Sequence, residues 1–267
     1  MENYRIYIDF PDGKILFSLI DIICNLPGDN ERYLELYKDG IFFSDNDPET
    51  YLKVLFKIDN FSMAKYKINT KKDAILLGLN ICNLRDALRG SVGKVIISQL
   101  VNSNELEVKT LNKKGDCSKN YLDIIKMKQK PHCNFDVKRS DDSPNCSVYG
   151  SNLDTMFKKI KAEKTPKTSL NVINFNDNII LCYSCPGKDK YINLEGDKCI
   201  ETNFKGCNKV ESDADLFIKY IVKFSTLTPN HTFRFYMDNI NNYFRINSRI
   251  LGYGELEIIV KSITDDD

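Results

Sequence analysis

Helix-forming stretches are few in this chain, and their spacing is what most restricts its fold. Four stretches carry an apolar stripe at i, i+3, i+4 spacing: Lys14–Asn25, Ile81–Arg89, Asn152–Glu163 and Ala214–Thr226. The first two start about 67 residues apart, the last two about 62. Each has local punctuation. Pro11-Asp12-Gly13 precedes the first and Leu26-Pro27-Gly28 closes it. Asn80 caps the second and Gly90 ends it. Ser151 or Asn152 caps the third. Ser212 or Asp213 caps the fourth, which Pro229 stops.

Short strands fill the intervals. Tyr4–Phe10, Tyr33–Tyr37, Glu105–Val108, His231–Tyr236 and Glu255–Val260 alternate apolar with polar residues and are bounded by Gly, Asn and Asp. Lys38-Asp39-Gly40 reads as a hairpin turn. After each second helix come two more strands: Val95–Val101 and Glu105–Leu111, then His231–Asp238 and Tyr243–Ile263 with a Gly-rich interruption. The order is strand, helix, about four strands, helix, two strands, and then the same again. The repeat is one of order, since identity between the halves is negligible. The expected domains are 1–115 and 133–267, with 116–132 as a connector that contains Lys130-Pro131.

Composition limits the function. The longest mostly apolar run, Ile15–Cys24, has ten residues and includes Asp21, whereas a bilayer-spanning helix needs about 20. The first residues, Met1-Glu2-Asn3-Tyr4-Arg5, lack the order of a signal peptide. Nine cysteines at irregular spacing do not form a secreted disulfide scaffold, so the expected setting is a reducing, intracellular one. A net charge of +1 conceals basic segments. Residues 109–138 hold eight lysines against three aspartates, and residues 151–168 hold five lysines against Asp154 and Glu163. That distribution suits one basic face on a neutral body.

Catalytic constellations are poorly supported. Two histidines, His132 and His231, leave little from which to build a His-dependent site. Cys182 and Cys185, with Cys199 and Cys207, have one close pair where a zinc ribbon has two. Gly252-Tyr253-Gly254 lacks the third glycine and following helix of a phosphate loop and reads as a turn. Asp45-Asn46-Asp47 and Asp141-Asp142 are ordinary acidic loops. No enzyme, cofactor or metal is expected.

Local motifs then carry a resemblance. Leu76–Arg89, with its Gly78-Leu79-Asn80-Ile81, resembles the strand and short helix of the proliferating cell nuclear antigen (PCNA) family of sliding clamps. Lys219-Tyr220 and Thr228-Pro229 resemble that family's last helix and its stop. Gly254–Val260 resembles its final strand, and Asp265-Asp266-Asp267 its acidic tail. In order and spacing the resemblance spans nearly the whole chain. Low local identity is read as a divergent member, of viral origin.

The resemblance implies an α+β DNA clamp fold of two pseudo-repeated domains, with outer antiparallel sheets and inner helices. It implies a homotrimeric ring around duplex DNA that tethers DNA polymerase and other replication and repair proteins, at a nuclear or cytoplasmic replication site or a viral factory. The alternative is a clamp-fold transcription or checkpoint factor that forms no homotrimeric replication ring. The implied DNA-facing cations are Lys14, Arg85, Arg89, Lys158, Lys159, Lys161, Lys219 and Lys223. Lys219 and Lys223, and likewise Arg85 and Arg89, are four apart on one helical face. The first helix is weakly basic, and Asp86 interrupts the second. The implied partner groove is lined by Tyr51, Leu52, Ile125, Met127, Tyr243, Ile259 and Val260, and its connector is basic. Ring closure by edge pairing is expected through Glu105–Leu111 or Tyr121–Met127, with Thr168–Tyr183 as the receiving segment.

Overall fold

A computed structural model describes residues 3–25, 30–47, 52–59, 63–112, 115–126, 146–151, 153, 169–175, 178–185, 188–193, 208–213, 232–238, 243–250 and 253–261. The chain falls into two compact units. The first comprises Met1–Ser44, Leu55–His132 and Gly252–Gly254; the second comprises Asp45–Val54, Cys133–Leu251 and Glu255–Asp267.

The first unit opens with β1 (Tyr4–Phe10) and α1 (Gly13–Cys24). On β1, Ile6, Ile8 and Phe10 are buried while Arg5 is exposed, as alternation requires. Asp9 is buried too, and its carboxylate takes the Lys94 ammonium at 2.6 Å. That hydrogen bond holds the Lys94 ammonium above its usual range. Asp12 is the N-cap of α1; its carboxylate accepts from the backbone N–H groups of Lys14 at 3.0 Å and Ile15 at 3.2 Å. The helix buries Ile15, Leu16, Leu19, Ile20, Ile22 and Ile23, a wide apolar face.

Next come β2 (Glu31–Tyr37), β3 (Gly40–Asp47), β4 (Leu52–Asp59), β5 (Lys65–Ile68) and β6 (Ala74–Asn80). The expected hairpin joins β2 to β3, with Tyr37 opposite Gly40 and Leu36 opposite Ile41. Lys38-Asp39 is therefore the two-residue loop, and Gly40 already belongs to the strand. A Cβ on Gly40 would run into the Ile58 carbonyl oxygen, and one on Gly254 would run into that of Lys57. The Tyr66 hydroxyl donates to the Tyr37 carbonyl at 2.7 Å and lies 3.0 Å from that of Gly40. Burial of Tyr66 pushes its phenol well above the usual range.

Helix α2 (Ile81–Leu88) follows β6 directly. Asn80 Oδ1 accepts from the Asn83 N–H at 3.1 Å, and Gly90, at φ +77°, adopts the left-handed conformation just beyond the helix end. The unit is completed by β7 (Val95–Leu100), β8 (Glu105–Leu111) and β9 (Cys117–Asp123). Its two sheet runs are β5-β1-β7-β8-β9 and β4-β3-β2-β6. Ile8, Ile97 and Leu106 of the first run, Leu36, Ile41 and Leu77 of the second, and Leu16, Ile20 and Leu84 of the helices line one apolar void of about 20 Å³. Both sheets and both helices thus share one core. Truncating either N-cap, as Asp12→Ala or Asn80→Ala, is expected to cost about 1 kcal/mol, read as a lower denaturant midpoint at unchanged slope.

The second unit contains β10 (Cys146–Tyr149), β11 (Ser169–Phe175), β12 (Asn178–Cys185), β13 (Lys188–Asn193), β14 (Asn208–Asp213), β15 (Thr232–Asp238), β16 (Tyr243–Ile250) and β17 (Gly254–Lys261). One run is β10-β15-β16-β17 and a separate sheet is β13-β12-β11-β14. Val148, Leu153, Phe233, Phe235, Ile246, Leu256 and Ile258 are buried. Arg245 and Glu257 are buried together; Arg245 Nη1 lies 3.4 Å from Glu257 Oε1, and the guanidinium sits 3.9 Å from the Tyr236 ring centroid.

Among the described residues there are seventeen strands and two helices, so the chain is mostly sheet rather than a clear α+β fold with inner helices. The third expected helix is described only at its start, where Gly150, Ser151 and Leu153 are helical, and the fourth lies outside the described residues. Residues 117–123, placed in a connector by the sequence, form β9.

Candidate nucleic-acid interface and assembly edge

The end of α1 meets the start of α2. Cys24, the last residue of α1, is disulfide-bonded to Cys82 in the first turn of α2, with Cα atoms 5.4 Å apart. One helical turn along, Asp21 Oδ1 lies 3.9 Å from Arg85 Nη1. Moving three residues back on one helix while moving three forward on the other describes an antiparallel pair. This bond was not anticipated from the sequence, where the cysteines read as thiols of a reducing setting.

The same pairing determines the charge that these helices present. Arg85 is half-buried, with Nη2 3.1 Å from Asp86 Oδ1 as well as near Asp21. Arg89 is exposed, and its Nη2 lies 2.9 Å from the same Asp86 oxygen. Lys14 is exposed on the first turn of α1. Arg85 and Arg89 are paired with Asp21 and Asp86, and across the two helices and the α1 cap the cations Lys14, Arg85 and Arg89 equal the acids Asp12, Asp21 and Asp86 in number. These pairs are individually worth little to stability; their effect is to lower the positive charge that Arg85 and Arg89 present. Lys158, Lys159, Lys161, Lys219 and Lys223 lie outside the described residues.

The groove residues are spread over several elements. Tyr51 and Met127 lie outside the described residues. Leu52 opens β4, Tyr243 opens β16 and Val260 lies in β17. Ile125 is half-buried, and its N–H donates to the Gly78 carbonyl at 3.0 Å, a single bridge against β6. Ile259 is 2% exposed and is a core residue of the second unit. Cys182 and Cys185 both lie in β12.

Strand order separates the two expected edge segments: Glu105–Leu111 is β8, and Tyr121–Met127 overlaps the end of β9. β8 is bonded on both sides, Val95 facing Thr110 and Glu105 facing Asp123, so it offers no free edge. β9 is the edge among the described residues. The receiving segment fares likewise: β11 lies between β12 and β14, and β12 between β11 and β13. Among the described residues the edges of that sheet are β13 and β14. Sequence shows β character but not strand order, which is set by pairings remote along the chain.

The two edges of the first unit's larger sheet differ. β5 is four residues long and exposes Lys65 and Lys67, a blunted edge. β9 is seven residues long and exposes Tyr121 at 61%. Beside β9, a polar cavity of about 340 Å³ is lined by Tyr4, Leu100, Glu107, Lys109, Lys119 and Tyr121, among others. Burial pulls the Glu107 carboxyl up, yet the Lys109 ammonium at 2.7 Å and the Tyr121 hydroxyl at 3.3 Å outweigh it and leave it below the usual range.

No protein-family model matches the sequence, and no curated protein matches it. A solved structure does. The crystal structure of PCNA from Thermococcus kodakaraensis superposes with a TM-score of 0.70 over 96% of this chain and 99% of that one, at 14% sequence identity. The fold is PCNA-like over nearly the whole of both chains.

Proposed function

We propose that the chain is a clamp subunit that closes into a ring around duplex DNA and tethers a polymerase and other peptide-bearing partners. It would do no chemistry of its own. The observation that carries this reading is the end-to-end likeness to a PCNA structure. The open edge at β9 supports self-association, which a ring requires. The remaining specifics are a homotrimer, an intracellular replication site and a viral origin.

The basic surface is assigned mainly to the second half. With Arg85 and Arg89 paired to acids, attraction to phosphates falls mainly to Lys158, Lys159, Lys161, Lys219 and Lys223. Such attraction is independent of sequence and weakens steeply with salt. Replacing Lys158, Lys159, Lys219 and Lys223 together by alanine is expected to reduce DNA affinity about tenfold or more near physiological salt. Each lost phosphate contact should also flatten the salt dependence by about 0.9 in logarithmic slope. Fluorescence anisotropy with a duplex probe at several salt concentrations measures both. Unchanged affinity and slope would remove these lysines from the DNA surface.

The neutralised α1–α2 face favours a second reading, a clamp-fold transcription or checkpoint factor that forms no homotrimer. Light scattering on a sizing column separates the two. A mass about three times that of the 30.8 kDa chain supports the ring. A monomer at micromolar concentration supports the second reading.

A further inference from the structure

Cys24 and Cys82 occupy opposite kinds of helix end. Cys82 is the second residue of α2, where unsatisfied backbone N–H groups and the positive end of the helix dipole favour negative charge on sulfur. Arg85, one turn on, adds positive charge that Asp21 and Asp86 offset only in part. Cys24 is the last residue of α1, at the carbonyl end, with Asp21 a turn earlier and no basic residue in the last turn. That end disfavours negative charge. Both cysteines are half-exposed. Asn30 Oδ1 lies 3.3 Å from Cys82 Sγ. A disulfide sulfur has no proton to give it, but a thiol does, and the same amide turned over would donate to a thiolate. The surroundings of Cys82 therefore fit the open state as well as the closed one.

We propose that Cys24 and Cys82 form a reversible thiol–disulfide site, exchanged with a glutathione-type thiol and its disulfide, in which Cys82 is the sulfur that leaves and returns as thiolate. In opening, a glutathione thiolate attacks Cys24 Sγ. The Cys24–Cys82 bond breaks, a glutathione–Cys24 disulfide forms and the electron pair departs on Cys82 Sγ. A second glutathione thiolate attacks the glutathione sulfur of that mixed disulfide and expels Cys24. Two protein thiols and one glutathione disulfide result, so two electrons have passed from glutathione to the protein. Closing is the reverse. Departure on Cys82 is favoured because the better-stabilised thiolate leaves faster. Opening need not separate the helices, since Asp21 and Arg85 still pair and Ile20 and Leu84 still line one core void. The inference does not depend on the DNA reading; its action is to lock or release α1 against α2.

The test uses the full chain equilibrated over a range of glutathione to glutathione-disulfide ratios, quenched in acid, alkylated and read by peptide mass spectrometry. Cys24 and Cys82 are expected to gain label together as the ratio rises, and exposed Cys117 serves as the labelling control. In a second arm, glutathione disulfide should modify Cys82 in Cys24→Ala about threefold or more faster than Cys24 in Cys82→Ala, and Arg85→Gln should narrow that gap. Label on both cysteines at every ratio would mean that no bond forms. Label on neither, in folded protein under glutathione alone, would mean a fixed bond. Either result overturns the proposal. Equal or reversed rates in the second arm would overturn the role given to Cys82.

Discussion

Replacing Cys24 and Cys82 together by serine is expected to lower the thermal midpoint of the first unit by roughly 10–20 °C. The bond closes a loop across a sequence separation of 58. Cross-linking over such a loop removes unfolded-chain entropy worth about 4 kcal/mol. Its position adds to the effect, because the loop includes β2 to β6 and so spans the whole second sheet run of the unit. Calorimetry on three samples checks this: the oxidised chain, the same chain reduced, and the double-serine variant. The last two should coincide well below the first. If all three melt together, the bond does not form in solution. A fall in the variant alone would trace the loss to the serine side chains.

Arg245→Leu is expected to destabilise the second unit by about 3–5 kcal/mol, because it leaves the Glu257 carboxylate buried without its guanidinium. The arginine also covers the Tyr236 ring, and that contact is lost with it. Glu257→Leu should cost a comparable amount for the converse reason. The double replacement, Arg245→Leu with Glu257→Leu, should recover most of the loss, since two apolar side chains in place of a buried pair are often neutral or better. Denaturant midpoints of the four proteins form a double-mutant cycle. Additive losses would show that the two charges do not depend on each other.

Local features of the fold were legible in the sequence because local chemistry decides them. Asn80 and Gly90 bracket α2 as capping rules require, and α1 starts one residue before the position expected. The strand expected at Glu105–Leu111 has those bounds. What could not be read was order and company. Asp21 and Arg85 are 64 positions apart in the chain, so the i, i+4 spacing of Arg85 and Arg89 suggested a basic face that Asp21 and Asp86 in fact balance. Cys24 and Cys82 show no spacing signature, since two helix ends brought together by a shared core leave none. β11 and β12 look like any edge strand in composition, yet each has neighbours on both sides. The main lysine candidates for a DNA surface lie outside the described residues.

The contrast between β5 and β9 bears on how large an assembly can grow. With lysines blunting one end, the sheet of the first unit extends in one direction only. If β9 meets β9 of a second copy, a two-fold contact is complete and growth stops at a dimer. If β9 meets a different strand, such as β13 or β14 of another copy, every added subunit brings a fresh β9, and growth continues until the turn per subunit closes the circle or runs on as a fibre. A closed assembly of more than two copies therefore shows that β9 accepts a strand other than its own kind.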